Sequence, residues 1–491
     1  MNLIISLLGS DNDQLITEKF LIYKKKNTLI LDAIVDRYSF CKNIFVITKK
    51  NIIKNNFNKS KKIKYIFAKS SKNQIISILK AKKFISLSEK VLILNPDSSF
   101  DINKTVFNEK CDAKIFYINK NNISRSFGKK DILYSNKNNE IKKIEKKSSY
   151  PFAQRVSAGL YYLERWGDFL KYSKKIKNIN NSKLNVIDVF LEILKNKKIK
   201  LNEVKNFICF ENKKKIKEYI FWKKYFKNNA FSKDKLKKID IQNIIPSAGE
   251  GSRHRHLGFN LPKPLIPISG KTMFEKSLES LPNKNNNLFI FKKKKFFNYK
   301  IIKKFPKKNK KSIFFNISKK TKGMAITISR AKKYIKLDKP VIVSSCDLKC
   351  VIDYENFYNI IKKENPDAMI FTWSQYPFAS ESPNSHAYVK AKNSIVKIIS
   401  EKKTISSDPD NDSAVTGIFY FKSGQELMNC IDYSLRNKIT VNGEYYVATA
   451  MTKLLNENKK IIDFKVNQMI SWSLPEHLMD YLYWEKIFKK S

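Results

Sequence analysis

The chain has 491 residues, of which 42% are hydrophobic, and 97 Lys and Arg against 44 Asp and Glu give it a formal net charge of +53. This length exceeds one ordinary core, and the apolar fraction excludes a disordered chain, so we expect at least two globular domains. The excess charge is nearly all lysine spread along the chain, which favours a compositionally biased surface over a concentrated nucleic-acid site, so we expect no nucleic-acid partner.

The cysteines and the first residues of the chain indicate the cellular environment in which the protein works. Its six cysteines form no CxxC pair and do not cluster with the four histidines, so neither a zinc site nor a disulfide framework is predicted. The opening MNLIISLLGS lacks the basic region of a signal peptide and is predicted to be a strand, and no segment approaches the roughly 20 apolar residues of a membrane span. We therefore expect a cytoplasmic protein with reduced thiols and no membrane span.

Two parts of the chain repeat one another. Residues 81–97, AKKFISLSEKVLILNPD, align without a gap with residues 331–347, AKKYIKLDKPVIVSSCD. Other pairs follow in the same order, NEIKKIEKK with NSIVKIISEKK and SAGLYYL with VTGIFYF. We therefore predict a tandem of two related domains, residues 1–230 and 240–491.

Short β-branched runs alternate in each half with longer stretches that can form helices. The runs are NLIISLL, NIFVI, KVLILN and AKIFYI, then QNIIPSA, NLFIF, SIFFNI, PVIVSS and DAMIFT. This alternation predicts an α/β fold in which a largely parallel sheet is buried on both faces. Ligands of such sheets bind at the carboxyl ends of the strands.

A glycine-rich basic loop, SAGEGSRHRHLGFNLPKPL, follows the predicted strand IQNIIP. Gly249 and Gly251 can adopt positive φ and bring backbone N–H groups close to phosphate oxygens. Arg253 adds a planar cation, and Lys263, between two prolines, adds a point charge on a stiffened backbone. The loop is predicted to hold a polyphosphate.

Better-known binding loops do not explain this segment. A dinucleotide fingerprint would need glycine at His254, and a Walker A loop ending at Gly270 would need glycine at Leu265. His254 and His256 form an H-x-H pair, but no third ligand is evident and the neighbouring arginines repel a cation. We interpret both histidines as loop residues near the phosphates.

The stretch PSAGEGSRHRHLGFNLPKPLIPISGKTMFEKSL resembles the signature of the sugar-1-phosphate nucleotidyltransferases, the NDP-sugar pyrophosphorylase family. KGMAITISRA, VIVSSCD, SEKK, VTGIFYF, NGEYYV and SLPEHL follow in the order of that family. The resemblance covers the second half almost end to end, and it implies Rossmann-like, GT-A-like domains. It also implies transfer of a nucleotidyl group from a nucleoside triphosphate to a sugar-1-phosphate, with release of pyrophosphate, for surface polysaccharide or lipopolysaccharide synthesis.

The resemblance implies three catalytic residues. Arg253 would contact the triphosphate, Lys263 would bridge phosphates at the reacting centre, and Asp347 would bind Mg²⁺. Many members of the family place a second metal aspartate beside a turn that here reads ISWSLPEHL and carries no acid before its proline. Asp353 or Glu444 could supply that carboxylate, or phosphates and water could complete the shell.

Further residues are implied on the nucleotide and acceptor sides. The implied nucleotide-binding residues are Ala248, Gly249, Gly251 and Gly323, the last of them near the nucleobase. The implied residues for the sugar phosphate are Glu401, Lys402, Gly417 and Glu444. Of these, Lys402 would donate to the acceptor phosphate, and Glu444 is equally well explained as an acid at a helix start.

The first half has no counterpart of the basic loop. It keeps Gly9 but has no Pro-Lys-Pro, and Asp11 and Asp13 lie where the triphosphate charge would be. Asp97 and Lys146 are kept. We expect this half to be inactive, serving as a packing partner, a regulatory module or a binder of a smaller ligand.

Alternative functions stay open at this point. The acceptor could be phosphocholine or another non-sugar phosphate, since cytidylyltransferases of that type carry a closely similar signature. A non-catalytic nucleotide-sugar sensor and a polyanion-binding protein are the alternatives from other classes. The sequence does not specify the nucleobase, the acceptor or whether the chain forms a homo-oligomer.

Overall fold

The computed structural model describes residues 1–8, 37–50, 62–119, 130–148, 155–227, 239–249, 251–255, 258–259, 261–282, 286–292, 312–374 and 382–489. Contacts divide the chain into two compact units. Unit 1 is Met1–Lys227 with Tyr483–Ser491, and unit 2 is Asn228–Leu482. The assignment of residues 1–230 as an inactive domain and 240–491 as a catalytic one stays a prediction. The calls on Gly9, Asp11, Asp13 and His256 lie outside the described residues.

Unit 1 is built on one large mixed sheet. Its strands are β1 (Asn2–Ser6), β2 (Asn43–Thr48), β3 (Ile63–Phe67), β4 (Val91–Leu94), β5 (Ser98–Asp101), β6 (Ala113–Asn119), β7 (Lys130–Ser135), β8 (Ile141–Ser148), β9 (Arg155–Leu163), β10 (Ile199–Glu203) and β11 (Lys205–Cys209). Its α-helices are α1 (Gln74–Leu79), α2 (Trp166–Ser173), α3 (Val186–Leu194) and α4 (Lys213–Lys227). Short 3₁₀ helices span Lys80–Phe84 and Lys104–Asn108.

Unit 2 is built in the same way. Its strands are β12 (Gln242–Pro246), β13 (Pro267–Ile268), β14 (Lys271–Thr272), β15 (Asn287–Lys292), β16 (Ile313–Ile317), β17 (Val341–Ser344), β18 (Leu348–Val351), β19 (Ala368–Trp373), β20 (Ala387–Lys392), β21 (Ile395–Glu401), β22 (Ser413–Phe421), β23 (Ile461–Lys465) and β24 (Gln468–Ser471). The α-helices from here to the end of the chain are α5 (Ser252–Arg255), α6 (Met273–Leu278), α7 (Met324–Ser329), α8 (Tyr354–Glu364), α9 (Gly424–Arg436), α10 (Val447–Ala450), α11 (Thr452–Asn456) and α12 (Pro475–Lys489). Short 3₁₀ helices span Lys263–Leu265, Lys332–Tyr334 and Pro383–Ser385.

The two large sheets share one strand order. In unit 1 the main path is β3-β2-β1-β4-β9-β6-β10, and in unit 2 it is β16-β15-β12-β17-β22-β19-β23. Within the described residues, β9 and β22 are the single strands of these paths that run antiparallel to their neighbours. The prediction of mostly parallel sheets is therefore confirmed. Each path has one reversed strand, and β7 with β8 in unit 1 and β20 with β21 in unit 2 add antiparallel pairs beside it, which the residue pattern did not indicate.

The central strands are buried because helices cover the sheet. All four residues of β4 and of β17 are buried, as expected for strands enclosed on both faces. In unit 2, α9 begins at Ser423, whose hydroxyl accepts a hydrogen bond from the backbone N–H of Glu426. One face of α9 then packs into the core through residues spaced three and four apart. This packing fixes the strand ends from which the site is built.

The cysteines and the helix lengths complete the description of the fold. All six cysteines are free thiols, and four of them are buried. Within the described part of the chain, no helix is both long and apolar enough to cross a bilayer.

Candidate active site

The basic loop leaves the carboxyl end of β12, as predicted, and turns at Gly251 into the short helix α5. Gly251 has a φ of +64°, and a Cβ on it would lie 2.6 Å from the Cβ of Lys263. Only glycine therefore fits where the loop passes over Lys263. Gly249 is not among the glycines with positive φ, and a Cβ on it would meet no atom within 4 Å, so its predicted contact with the nucleotide stays a prediction.

Lys263 and Asp347 form an ion pair at the centre of this region. The Nζ of Lys263 lies 2.5 Å from Oδ2 of Asp347 and donates to the carbonyl of Ser473 at 2.8 Å. Both charged side chains are mostly buried, with exposed fractions of 17% and 19%. The pair joins the Pro-Lys-Pro turn to the residues that follow β17, so two of the three predicted catalytic residues lie together.

His254 is a buried residue of α5. Its Nε2 lies 3.1 Å from the carbonyl oxygen of Trp472, and its exposed fraction is 1%. Burial, together with the charge of Lys263, lowers the pKa of His254, so the ring is neutral at pH 7. His254 thus anchors the loop to the segment after β24, and its position near the phosphates stays a prediction.

At two glycines beside the site, neighbouring atoms lie so close to the glycine backbone that a side chain would not fit. Gly323, at the start of α7, has a φ of +104°, and a Cβ on it would lie 2.4 Å from the carbonyl oxygen of Tyr445. Gly417 in β22 has a φ of +93°, and a Cβ there would lie 2.9 Å from the Oγ of Ser345. Both glycines are thus required by their protein neighbours, and their predicted contacts with nucleobase and acceptor stay predictions.

Lys402 follows β21 and is held by backbone groups. Its φ is +60°, and its Nζ donates to the carbonyl of Ser385 at 2.6 Å. The Nζ also lies 5.5 Å from the ring centroid of Tyr446 and 4.0 Å from the nearest oxygen of Glu401. Burial lowers the pKa of Lys402, an effect that the carboxylate of Glu401 opposes and the charge of Arg253 increases.

Two glutamates lie beside this lysine. Burial raises the pKa of Glu401 to about 7, an effect that Lys402 opposes and the carboxylate of Glu444 increases. Glu444 accepts a hydrogen bond of 2.6 Å from the hydroxyl of Tyr446. The structure therefore brings Glu401, Lys402 and Glu444 together, as predicted, and adds Tyr446, whose position two residues after Glu444 in NGEYYV was the available signal.

Comparison with known proteins decides the family. Residues 242–485 match a family model described as nucleotidyl transferase. This part of the chain is a nucleotidyl transferase family member. The chain is also 30% identical over 131 residues to the bifunctional protein GlmU of Methanococcus vannielii, covering 25% of this chain and 30% of that protein. It is 33% identical over 130 residues to the GlmU of Methanocaldococcus jannaschii, with the same shares covered.

The matched region is short relative to these relatives. The chain spans about 30% of the length of the curated relatives it matches. Among solved structures, it is similar to a nucleoside-diphosphate-sugar pyrophosphorylase from Vibrio cholerae RC9, with 19% identity and a TM-score of 0.40 over 49% of this chain and 99% of that one. It is similar to the inositol-1-phosphate CTP transferase from T. maritima, with 14% identity and a TM-score of 0.39 over 52% and 99%.

Asp353 does not supply the second metal-binding carboxylate that the resemblance to the family led us to expect. That side chain caps α8, where it accepts a hydrogen bond from the N–H of Asn356 at 3.1 Å. Among the described residues, no group of three or more His, Cys, Asp or Glu side chains is arranged to hold a metal. The donors fit a Mg²⁺ ion that has one protein carboxylate, Asp347, and phosphate oxygens for the rest of its shell, which is an arrangement Mg²⁺ accepts.

Proposed function

We propose that unit 2 transfers a nucleotidyl group from a nucleoside triphosphate to a sugar-1-phosphate and releases pyrophosphate. The product would be an activated sugar nucleotide, made in the cytoplasm for surface polysaccharide or lipopolysaccharide synthesis. The main support is the ion pair of Lys263 and Asp347 beneath the glycine-rich loop, inside the residues that match the nucleotidyl transferase model. A paired ammonium and carboxylate, with a close-approach glycine above them, suit a site for a triphosphate and its metal.

The reaction joins two phosphates and requires little covalent help from the protein. A phosphate oxygen of the acceptor attacks the α-phosphorus, a new P–O bond forms, and the bond from that phosphorus to the pyrophosphate oxygen breaks. Negative charge moves onto the leaving pyrophosphate, where Lys263 and Arg253 would stabilise it. Lys402, held by the carbonyl of Ser385, would orient the acceptor phosphate for attack.

Magnesium enters the proposal through Asp347. The ion would neutralise phosphate charge when bound, as hard cations do in phosphoryl transfer. Lys263 contacts the same carboxylate, so it would take up phosphate oxygens when the carboxylate takes up the ion. The buried position of both side chains keeps competing water away from these contacts.

The test is pyrophosphate release by the purified chain with Mg²⁺, using the common nucleoside triphosphates against sugar-1-phosphates and phosphocholine. We expect turnover with one pair, and we expect Asp347→Ala to lower it by about 10²–10³-fold, the effect of losing a main electrostatic contact in a transition state. Asp338→Asn, which removes one exposed carboxylate elsewhere in unit 2, is the matched control and should keep the wild-type rate.

Several results would count against the proposal. Turnover that persists in Asp347→Ala would show that Asp347 is not part of the reacting centre. Turnover with phosphocholine alone would replace the sugar acceptor and keep the reaction type. Nucleotide binding without turnover for any pair would favour a sensor, and absence of nucleotide binding by the folded protein would overturn the assignment.

A further inference from the structure

Two successive backbone carbonyls that follow β24 hold both ends of the basic loop. The Nε2 of His254, in α5, donates to the carbonyl of Trp472 at 3.1 Å. The Nζ of Lys263, in the Pro-Lys-Pro turn, donates to the carbonyl of Ser473 at 2.8 Å. Because the two carbonyls belong to neighbouring residues, these hydrogen bonds together set the distance between α5 and Lys263.

The segment that carries these carbonyls is itself held in place. The N–H of Trp472 donates to the carbonyl of Asp347 at 2.8 Å, and the side chain of Trp472 is fully buried. The hydroxyl of Ser471 accepts a hydrogen bond from the N–H of Ser473 at 3.2 Å, and the Oγ atoms of the two serines lie 2.8 Å apart. The segment is therefore a fixed support that joins the loop to the aspartate of the reacting centre.

Helix α5 is a single turn of four residues, so its position depends on tertiary contacts. Helices this short are marginal in water, and packing supplies most of their stability in proteins. Of the described side chains of α5, those of Arg253 and Arg255 are exposed and that of His254 is buried. His254 is thus the side chain through which α5 is attached to the protein.

The ring of His254 makes this contact as a neutral donor. A carbonyl oxygen only accepts, so the proton lies on Nε2 and Nδ1 keeps a lone pair. Within the described part of the chain, Nδ1 has no hydrogen-bond partner. Burial and the charge of Lys263 lower the pKa of the ring, which agrees with the neutral form. The ring therefore acts through its bond to Trp472, and a substitute needs only a donor at the same place.

Arg253 precedes His254 in α5 and carries the charge that α5 brings to the site. Burial lowers the pKa of Lys402 and raises that of the Tyr446 hydroxyl, and the charge of Arg253 adds to the first effect and opposes the second. The guanidinium thus acts electrostatically on two side chains of the acceptor side. Because Arg253 is exposed, its position follows that of α5, and hence that of His254.

We propose that His254 is a positioning residue, which holds Arg253 at the distance from Lys263 at which both cations contact one triphosphate. The inference rests on the proposed function, in which both cations bind the nucleotide, and it adds how the chain sets their spacing. A displacement of about 1 Å in a positioning contact can cost about 10²-fold in rate, so the attachment of a one-turn helix matters for binding and turnover. In this role His254 acts through the carbonyl of Trp472.

Calorimetric titration of the full-length chain with a nucleoside triphosphate and Mg²⁺ tests the inference. The probe is whichever of ATP, CTP, GTP, UTP and dTTP binds the wild type most tightly. His254→Leu removes the donor and should raise the Kd by about tenfold. His254→Gln keeps a side-chain N–H at a similar distance from the backbone and should stay within about twofold of the wild type.

A double variant separates positioning from a general loss of structure. If His254 acts through Arg253, His254→Leu should change the Kd by less than about twofold when it is added to Arg253→Met, because the two changes remove one function. Ser423→Ala removes the cap of α9 and is the control, since it should lower the Tm and leave the Kd unchanged. If His254→Leu does not fold, His254→Phe, which also lacks the donor, is used with the same criteria.

Three results would overturn the inference while the proposed function stands. They are an unchanged Kd in His254→Leu, a Kd in His254→Gln as high as that in His254→Leu, and effects of His254→Leu and Arg253→Met that multiply in the double variant. A folded wild-type chain that binds no nucleoside triphosphate at millimolar concentration would overturn the proposed function and this inference with it. The wild-type titration therefore distinguishes the two failures.

Discussion

Lysines at matching positions of the two units have different surroundings. In unit 1, the Nζ of Lys146 lies 2.5 Å from Oδ1 of Asp188, which also closes the capping box at the start of α3. In unit 2, the Nζ of Lys402 bonds to the carbonyl of Ser385 and lies 4.0 Å from the nearest carboxylate oxygen. A close carboxylate neutralises the first lysine, whereas the second keeps charge that a phosphate can use. A shared motif therefore does not imply a shared role.

The starts of α1 and α7 show the same contrast. Asn73 caps α1 by accepting from the N–H of Ile76, and its amide also donates to the carbonyls of Ile179 and Asn181. Gly323 begins α7 without a side-chain cap and instead lets the backbone of Tyr445 approach. Unit 1 uses this position for its own stability, whereas unit 2 uses it to place the segment that carries Glu444 and Tyr446.

The largest expected difference is between Lys402→Met and Lys146→Met. Loss of a charged donor to the acceptor phosphate should lower kcat/KM for the acceptor by about 10–100-fold, since such hydrogen bonds contribute about 1.5–3 kcal/mol. Lys146→Met should keep kcat/KM within about twofold and lower the Tm, because Asp188 loses its partner. Steady-state kinetics with each substrate varied, together with thermal unfolding, measures both. A loss of activity in Lys146→Met at unchanged Tm would contradict the comparison.

A smaller effect is expected from Gly323→Ala. The new Cβ would lie 2.4 Å from the carbonyl oxygen of Tyr445, at a φ that other residues rarely adopt, so we expect a loss of about 2–3 kcal/mol in the free energy of unfolding. Asn73→Ala in unit 1 should cost about 1 kcal/mol through the lost cap. Gly270→Ala is the matched control, since its φ is +78° but its Cβ would meet no atom within 4 Å. Chemical denaturation of the three variants should show the largest loss of stability for Gly323→Ala. Equal losses at residues 323 and 270 would exclude the steric explanation.

The smallest expected effect depends on pH. Burial raises the pKa of Glu401 to about 7, so the folded chain holds this proton more tightly than the unfolded chain does, and stability falls as pH rises from about 4.5 to 7. Glu401→Gln removes this titration and should be more stable than the wild type by on the order of 1–3 kcal/mol at pH 8, with almost no difference at pH 4.5. Thermal unfolding at both pH values measures the difference.

Glu457→Gln is the control for the pH experiment. Glu457 pairs with Lys453 on the surface, with 43% of its side chain exposed, and such pairs contribute little. Its variant should follow the wild type at both pH values. A Glu401→Gln variant with the same stability difference at pH 4.5 and pH 8 would show that the carboxyl of Glu401 has an ordinary pKa.

Strand runs and their carboxyl ends could be predicted from the sequence. Buried runs such as VIVSS form strands because their residues fit a sheet covered on both faces, and a loop and an aspartate that follow two parallel strands must meet at one edge. Lys263 and Asp347 accordingly lie together. The reversed direction of β22 was not predictable, because strand direction is determined by pairing partners that the residue pattern of the strand does not specify.

Individual side-chain roles were harder to predict than positions. Of the two loop glycines that can adopt positive φ, Gly251 does and Gly249 does not, because glycine permits that conformation without requiring it. Asp353 fits both a metal ligand and a helix cap in sequence, and only the hydrogen bond to the N–H of Asn356 distinguishes them. The Ser473 carbonyl that holds Lys263 is a backbone group, so its residue type gave no indication of it.

The ion pair of Lys263 and Asp347 also affects how a substrate would enter. A carboxylate with no metal bound would ordinarily repel an approaching triphosphate, and the repulsion would be strongest where little water screens the charges. Here the ammonium group at 2.5 Å cancels that charge beforehand, so the resting centre is electrically neutral. Arrival of a metal-bound nucleotide then becomes an exchange of partners, in which Lys263 passes from the carboxylate to phosphate oxygens as the carboxylate passes to the ion.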